Sequence, residues 1–279
     1  MPQDQLTPPF TDGVEMMRAR TLVAVCAGAL LAATSVLSSA TAEAADKPGD
    51  GQLRGTAGAV HDQGRVNLYA PASNQIVELK TGFVVPPKPS EVGTTFLWPG
   101  LEPVSDGVNF EPIGTGVLQP VLTWGPSCAP AAGKPADSDA YSSWWISGQY
   151  VNTLGSDPGY EGCFSGPAML VKPGDRLEVD MKLDSASGQW VQTVADGAKR
   201  ASFSFGLQGQ AQNRVMFYIE NYDGAPFAGP LSFSHTTVTF AKADGGSTCG
   251  SWAAVPGVSG VRSVADGRKC VIKTATVAL

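Results

Sequence analysis

Residues 168–183 read AMLVKPGDRLEVDMKL, and the second half of that stretch alternates without a break. Leu177, Val179, Met181 and Leu183 are apolar, while Arg176, Glu178, Asp180 and Lys182 between them are charged. Successive side chains of a strand project to opposite faces, so this period sets an apolar face on a core and a charged face in water. Pro173-Gly174-Asp175 just before it has the fixed φ and the left-handed freedom that a tight turn needs. The same grammar continues on both sides. GQWVQTVADGAKRASFSFGL (188–207) reads as two strands joined through Asp196-Gly197, with Phe203, Phe205 and Leu207 facing inward. RVMFYIENYDG (214–224), LSFSHTTVTFAKA (231–243) and CVIKTATVAL (270–279) follow. No segment carries a sustained 3.6-residue apolar period. Many short strands with close turn signals predict an all-β sandwich or jelly roll of two antiparallel sheets, and argue against an α/β enzyme.

The first 44 residues are expected to stand outside that fold. Arg18 and Arg20 precede an apolar run from Leu22 to Leu37, and small residues follow as far as Ala44. That order is the order of a secretory signal peptide, with cleavage after Ala44 or Ala45. The run is short and has no basic segment after it, which disfavours a membrane anchor. Residues 1–15 are polar and precede the basic pair, so Met16 or Met17 is the expected start. Residues 45–80 are rich in Gly, Ala and Asp and read as a flexible lead or short pro-segment. VVPPKPSEVG (84–93) reads as a hinge, leaving 81–279 for the sandwich domain.

With a formal net charge of −6 and 16% charged residues, the chain has no basic footprint for nucleic acid. Beyond Cys26 in the signal there are four cysteines, an even number in an exported chain, and disulfides are expected. Three connectivities are possible. Cys249–Cys270, closing a short loop, with Cys128–Cys163 is the favoured one. No metal is expected, because no cysteine pair has ligand spacing and the only histidines are His61 and His235. No cofactor loop is present, and nothing points to a membrane once the signal is removed. A secreted monomer is the expectation.

Parity locates the chemistry. Along 214–222, Val215, Phe217 and Ile219 belong on the core face. Arg214, Met216, Tyr218, Glu220 and Tyr222 then share the other face. Along GTGVLQPVLTWG (114–125), Leu118, Leu122 and Trp124 face one way and Val117, Gln119, Val121 and Thr123 the other. A carboxylate and a primary amide meeting in a trough on that second face suit hydrolysis. A partly desolvated glutamate can take a proton from water and return it to a leaving amine. An amide N–H can stabilise the oxyanion that forms between those steps. On parity alone, the blander reading is a structural carboxylate and a satisfied sheet amide. Ser/His/Asp chemistry through His235 has no nucleophile elbow to support it, and no spacing commends a glycosidase carboxylate pair.

In order along the chain, FLWPGLEP (96–103), VLQPVLTWG (117–125), YSSWWISGQY (141–150), FSGPAMLVKPGDRLEV (164–179) and FYIENYDG (217–224) resemble the landmarks of the secreted glutamic peptidases, the eqolisins. The resemblance covers roughly residues 82–242. It implies a concanavalin-like β-sandwich that cleaves polypeptides at acid pH with a Gln/Glu dyad, here Gln119 and Glu220. It further implies substrate-binding roles for Trp98, Glu102, Tyr141, Trp144 and Tyr218. The sequence departs from the family at Glu102-Pro103, Ser142 and Ile146, where carboxylates or glycine around the dyad are replaced. The alternative is a non-catalytic, lectin-like sandwich that binds polysaccharide or peptide in the same trough.

Overall fold

The computed structural model describes residues 60–103, 113–152, 157–224, 227 and 229–279. The expected signal peptide lies outside the described residues. Fifteen strands run through the described chain. They are β1 (Val60–Tyr69), β2 (Ile76–Val84), β3 (Thr94–Glu102), β4 (Val117–Trp124), β5 (Trp144–Asn152), β6 (Gly162–Ser165), β7 (Met169–Val171) and β8 (Arg176–Leu183). Then come β9 (Gln189–Asp196), β10 (Lys199–Gly206), β11 (Arg214–Tyr222), β12 (Leu231–Phe240), β13 (Val258–Ser259), β14 (Arg262–Val264) and β15 (Lys269–Val277). They form two sheets. The front sheet has the order β1-β11-β3-β4-β5-β6, with β7 also on β5. The back sheet has the order β10-β9-β8-β2-β12-β15-β13, with β14 also on β15. Every pairing among these strands is antiparallel.

The core lies between the sheets and follows the predicted phase. Leu177, Val179 and Met181 of β8 pack there with Val215, Phe217 and Ile219 of β11 and Leu118, Leu122 and Trp124 of β4. Phe217 and Phe83 both pack at a tilt against Phe233, with centroids 4.8 and 5.1 Å apart, which ties β11 to β2 and β12 across the layers. Burying each such ring contributes on the order of 2–3 kcal/mol. The β9–β10 hairpin closes through Gly197 at φ +56°, in the register the Asp-Gly signal implied. Both favoured disulfides are present, Cys128–Cys163 and Cys249–Cys270.

Two sequence expectations are corrected. Residues 45–80 are not simply a lead: β1 edges the front sheet, and β2 sits inside the back sheet between β8 and β12. Its alternation is diluted because Thr81 takes an inward position between Leu79 and Phe83, where its hydroxyl is satisfied on Thr236 at 2.7 Å. The proline-rich 84–93 is accordingly a crossover from the back sheet to the front sheet, not a hinge ahead of the domain. KADGGSTCG (242–250) leads into a short helix, α1 (Ser247–Trp252), that carries Cys249 to Cys270. Asp244 holds its entry: Oδ1 accepts from Gly246 N at 2.9 Å and Oδ2 from Thr248 N at 3.0 Å.

The front sheet holds an unusual pair. The β3–β4 register is the same at Leu97–Leu122 and at Leu101–Leu118, so Pro99 stands opposite Pro120 and Gly100 opposite Gln119. Neither proline has an N–H to give, and the ladder is interrupted between those two points. Both prolines are buried on the core side of the sheet. The local gap in the ladder falls beside Gln119.

Candidate active site

Cross-strand partners share a face, so the registers define rows across the outer face of the front sheet. One row runs Met216, Gly100, Gln119, Gln149 and Ser165 across β11, β3, β4, β5 and β6. The next holds Tyr218, Trp98, Val121 and Ser147. The third holds Glu220, Phe96, Thr123 and Trp145. Gln119 and Glu220 therefore lie on the same face, two rows and two strands apart, with Trp98 on the diagonal between them. A diagonal step spans about 7–8 Å, within reach of long side chains.

Trp98 makes the diagonal contact to Glu220. Its Nε1–H donates to Glu220 Oε2 at 3.4 Å. The far side of its indole lies over Gly100, where a Cβ would stand 2.8 Å from Trp98 Cζ3. Glycine is needed there because the ring occupies the place of a side chain. Tyr218 stacks on the indole, with centroids 4.5 Å apart and planes within 8°. Phe96, Trp98, Val117, Val121, Val151, Met216, Tyr218 and Tyr222 form a second apolar cluster, separate from the core between the sheets.

An ion pair anchors this stack. Arg214 Nη1 donates to Glu102 Oε2 at 2.6 Å, with only 13% and 4% of the two side chains exposed. Arg214 Nη2 donates to the Tyr218 hydroxyl at 3.3 Å, and its Nε to Asn67 Oδ1 at 3.3 Å. The guanidinium also sits 5.5 Å from the Tyr69 ring centroid. Contacts thus run unbroken from Glu102 through Arg214, Tyr218 and Trp98 to Glu220. The charge of Glu102 is met by Arg214, a residue that parity placed on this face without giving it a role.

The face is drier than the sequence implied, because Glu220 and Gln119 are each only 2% exposed. It is also incompletely paired. Gln119 Nε2, Thr123 Oγ1, Gln149 Oε1, Ser165 Oγ and Tyr222 Oη are all buried there without a hydrogen-bond partner in the protein. A buried polar group left unpaired costs roughly 1–3 kcal/mol, so such a set on one face calls for an explanation. Burial, and secondarily the Glu220 charge, pushes the Tyr222 phenol above its ordinary range, so it remains an O–H donor at any working pH.

The remaining site expectations divide. Tyr141 is 39% exposed, and its hydroxyl lies 3.4 Å from the Thr94 hydroxyl at the end of the face where Thr94 pairs with Tyr222. Trp144 is a correction. It is fully buried in the inter-sheet core, 5.4 Å from the Trp124 ring, and cannot wall a trough on the outer face. Ile146 and Tyr150 face the core and fix the phase of β5, so Trp144 falls in step with them and Trp145 takes the outer side. The same phasing would have found Gln149. Ser165 has no such signal, since its place depends on which strand β6 pairs with.

No group of His, Cys, Asp and Glu among the described residues is arranged to hold a metal ion. A pocket of about 430 Å³ does exist elsewhere, on the outer face of the back sheet, bordered by Lys80, Glu178, Asp180, Thr193, Arg200 and His235. Its charges are largely paired to one another or open to water. His235 stands exposed there at φ +53°.

No protein-family model matches the chain, and no curated protein matches it. Among solved structures, it is similar to scytalido-glutamic peptidase bound to a peptide-based transition-state analogue. The identity is 12%, with 77% of this chain and 99% of that one covered, at a TM-score of 0.44. A second structure of that peptidase, with a transition-state analogue inhibitor, gives the same coverage at a TM-score of 0.42. An alginate lyase from Pseudomonas aeruginosa shares 14% identity over 62% of this chain and 68% of its own, at a TM-score of 0.34. These are distant likenesses of fold.

Proposed function

We propose that the protein is an exported, acid-acting hydrolase of peptide bonds that works through Glu220 and Gln119. The observation that carries the reading is the unpartnered Gln119 Nε2, a buried amide donor on the same face as Glu220 and one diagonal from the tryptophan that binds it. In this reading Glu220 removes a proton from water as the oxygen adds to the scissile carbonyl carbon. Gln119 N–H donates to the oxyanion of the resulting tetrahedral intermediate. Glu220 then returns the proton to the amine nitrogen as the C–N bond breaks. Trp98 fixes the carboxylate through its N–H, and Arg214 with Glu102 holds Tyr218 against Trp98. The motif order along 96–224 supports the same chemistry, and two disulfides suit an oxidising, extracellular setting. The partner is a polypeptide, and a monomer suffices because both groups come from one chain.

The test is cleavage of an acid-denatured protein across acid to neutral pH. Glu220→Gln is expected to abolish turnover, and Gln119→Ala to lower kcat by about 10²–10³. Chelators and serine-directed reagents are expected to leave the rate unchanged. Retained cleavage in Glu220→Gln would overturn the assignment. Binding of peptide without any cleavage by the wild type would make the trough a recognition site alone.

A further inference from the structure

The row that contains Gln119 continues across two more strands, and its far members resemble a binding surface more than a structural network. Gln149 on β5 stands directly opposite Gln119, and Ser165 on β6 directly opposite Gln149. Gln149 is 0% exposed, and its Nε2 donates to Ser147 Oγ at 3.0 Å, while Oε1 has no partner in the protein. Either rotation of that amide leaves one polar atom unpaired. Ser165 Oγ is likewise buried and unpartnered.

The Gln149 backbone is held with care. Gln192, fully buried on β9 of the back sheet, reaches through the core. Its Oε1 accepts from Gln149 N at 3.2 Å and its Nε2 donates to Gln149 O at 2.8 Å. The preceding Gly148 makes room, since a Cβ there would stand 3.0 Å from the Cβ atoms of both Gln192 and Phe203. A backbone clamped from behind by a buried amide fixes where the Gln149 side chain emerges in front.

We infer that Gln149 and Ser165 form a subsite that reads the main chain of an extended polypeptide lying across β4, β5 and β6 away from Gln119. This rests on the hydrolase reading for the position of the scissile bond, though not for the existence of the subsite. Adjacent strands are about 4.8 Å apart, so β4 to β6 spans about 10 Å, or three residues of extended chain. Along that span the row presents an N–H donor at Gln119, a carbonyl acceptor at Gln149 and a hydroxyl at Ser165. These match the C=O and N–H groups of a peptide. Met216, Gly100, Gln119, Gln149 and Ser165 include no charged side chain, so the row favours neutral amides over carboxylate or phosphate. Gln149 Oε1 accepts a substrate N–H, and Ser165 takes the next main-chain group outward.

The experiment uses a ladder of peptide substrates, extended one residue at a time on each side of the scissile bond. Each is paired with an analogue in which one backbone N–H within three residues of that bond is replaced by an ester oxygen. Gln149→Leu is expected to raise KM about tenfold for the longer peptides on one side only, with kcat and the shortest substrate unchanged. One hydrogen bond is worth about that factor. At one position the ester is expected to cost the wild type about tenfold and Gln149→Leu nothing further, which is the mark of a direct contact. Ser165→Ala gives a second, smaller perturbation should Gln149→Leu fail to fold. If every substrate loses equally, or if no ester position is coupled to Gln149 or Ser165, the subsite is wrong while the dyad stands. If the wild type cleaves nothing, calorimetric titration with the same peptides decides. Gln149-dependent binding keeps the subsite and removes the hydrolase. No peptide binding, or preferential binding of a neutral oligosaccharide, overturns both.

Discussion

Each sheet of the sandwich presents an outer face, and the two are built on opposite plans. On the back sheet, the row Lys80, Asp180, Thr193 and Ser202 carries a charge pair partly open to water. Lys80 bridges Glu78 at 3.0 Å and Asp180 at 3.4 Å while remaining half exposed. On the front sheet the corresponding side is a second apolar cluster. In it are set one nearly buried ion pair, a tryptophan-bound carboxylate and several buried polar atoms that the protein leaves unpaired. Exposed ion pairs are worth little and tolerate change, whereas buried charges and amides are costly to misplace. The front face gathers five buried, unpaired polar atoms around its ion pair, whereas the back face has one, Asp180 Oδ1, beside ion pairs that are more open to water.

Substitutions that remove one partner at a time test how deep that contrast goes. The largest effect is expected at Arg214→Leu, which leaves Glu102 buried without its cation and should cost about 3–5 kcal/mol in denaturant unfolding. Adding Glu102→Leu should recover much of the loss. If the single variant costs under about 1 kcal/mol, the two faces do not differ in kind. Gly100→Ala comes next, because its methyl group displaces the Trp98 ring. A loss of about 1–3 kcal/mol is expected, with a shift in tryptophan fluorescence and a drop in turnover. Unchanged fluorescence would show that the indole is not held as described.

The smallest effect belongs to the back sheet. Burial raises the Asp180 carboxyl above its ordinary range, against the lowering pull of Lys80. A folded-state pKa raised above the unfolded value of 3.8 makes the folded protein bind the proton more tightly. That contribution is complete below the unfolded pKa and is lost as pH rises through the folded one. Asp180→Asn should therefore remove a small downward step in stability just above pH 4. The change is expected to stay within about 1 kcal/mol, and Tm measured from acid to neutral pH would show it. An effect as large as that of Arg214→Leu would erase the distinction between the faces.

Much of the front face was legible in residues. Alternation in RVMFYIENY and VLQPVLTWG separated Glu220 and Gln119 from the core, and the structure places both on the outer side of the sheet. The same rule applied to WWISGQY, with Ile146 and Tyr150 as its anchors, exposes the error at Trp144 and brings Gln149 into view. Arg214 was visible as a face residue, but nothing local shows that its partners are Glu102 and Tyr218. β2 alternates weakly in sequence because a threonine, Thr81, takes one of its inward positions, and only a neighbour across the layer of strands, Thr236, explains it.

What this sequence determined by itself is periodic and local: strands, their inward sides, the turn at Gly197 and the face on which each polar residue stands. Those follow from the geometry of an extended chain, in which side chains alternate whatever lies next to them. What only the tertiary structure decided is register: Trp98 between Gln119 and Glu220, the prolines facing each other beside Gln119, and Gln149 and Ser165 extending its row. Register is set by packing between strands as many as about a hundred residues apart, and a one-residue slip would send every one of those side chains to the other face.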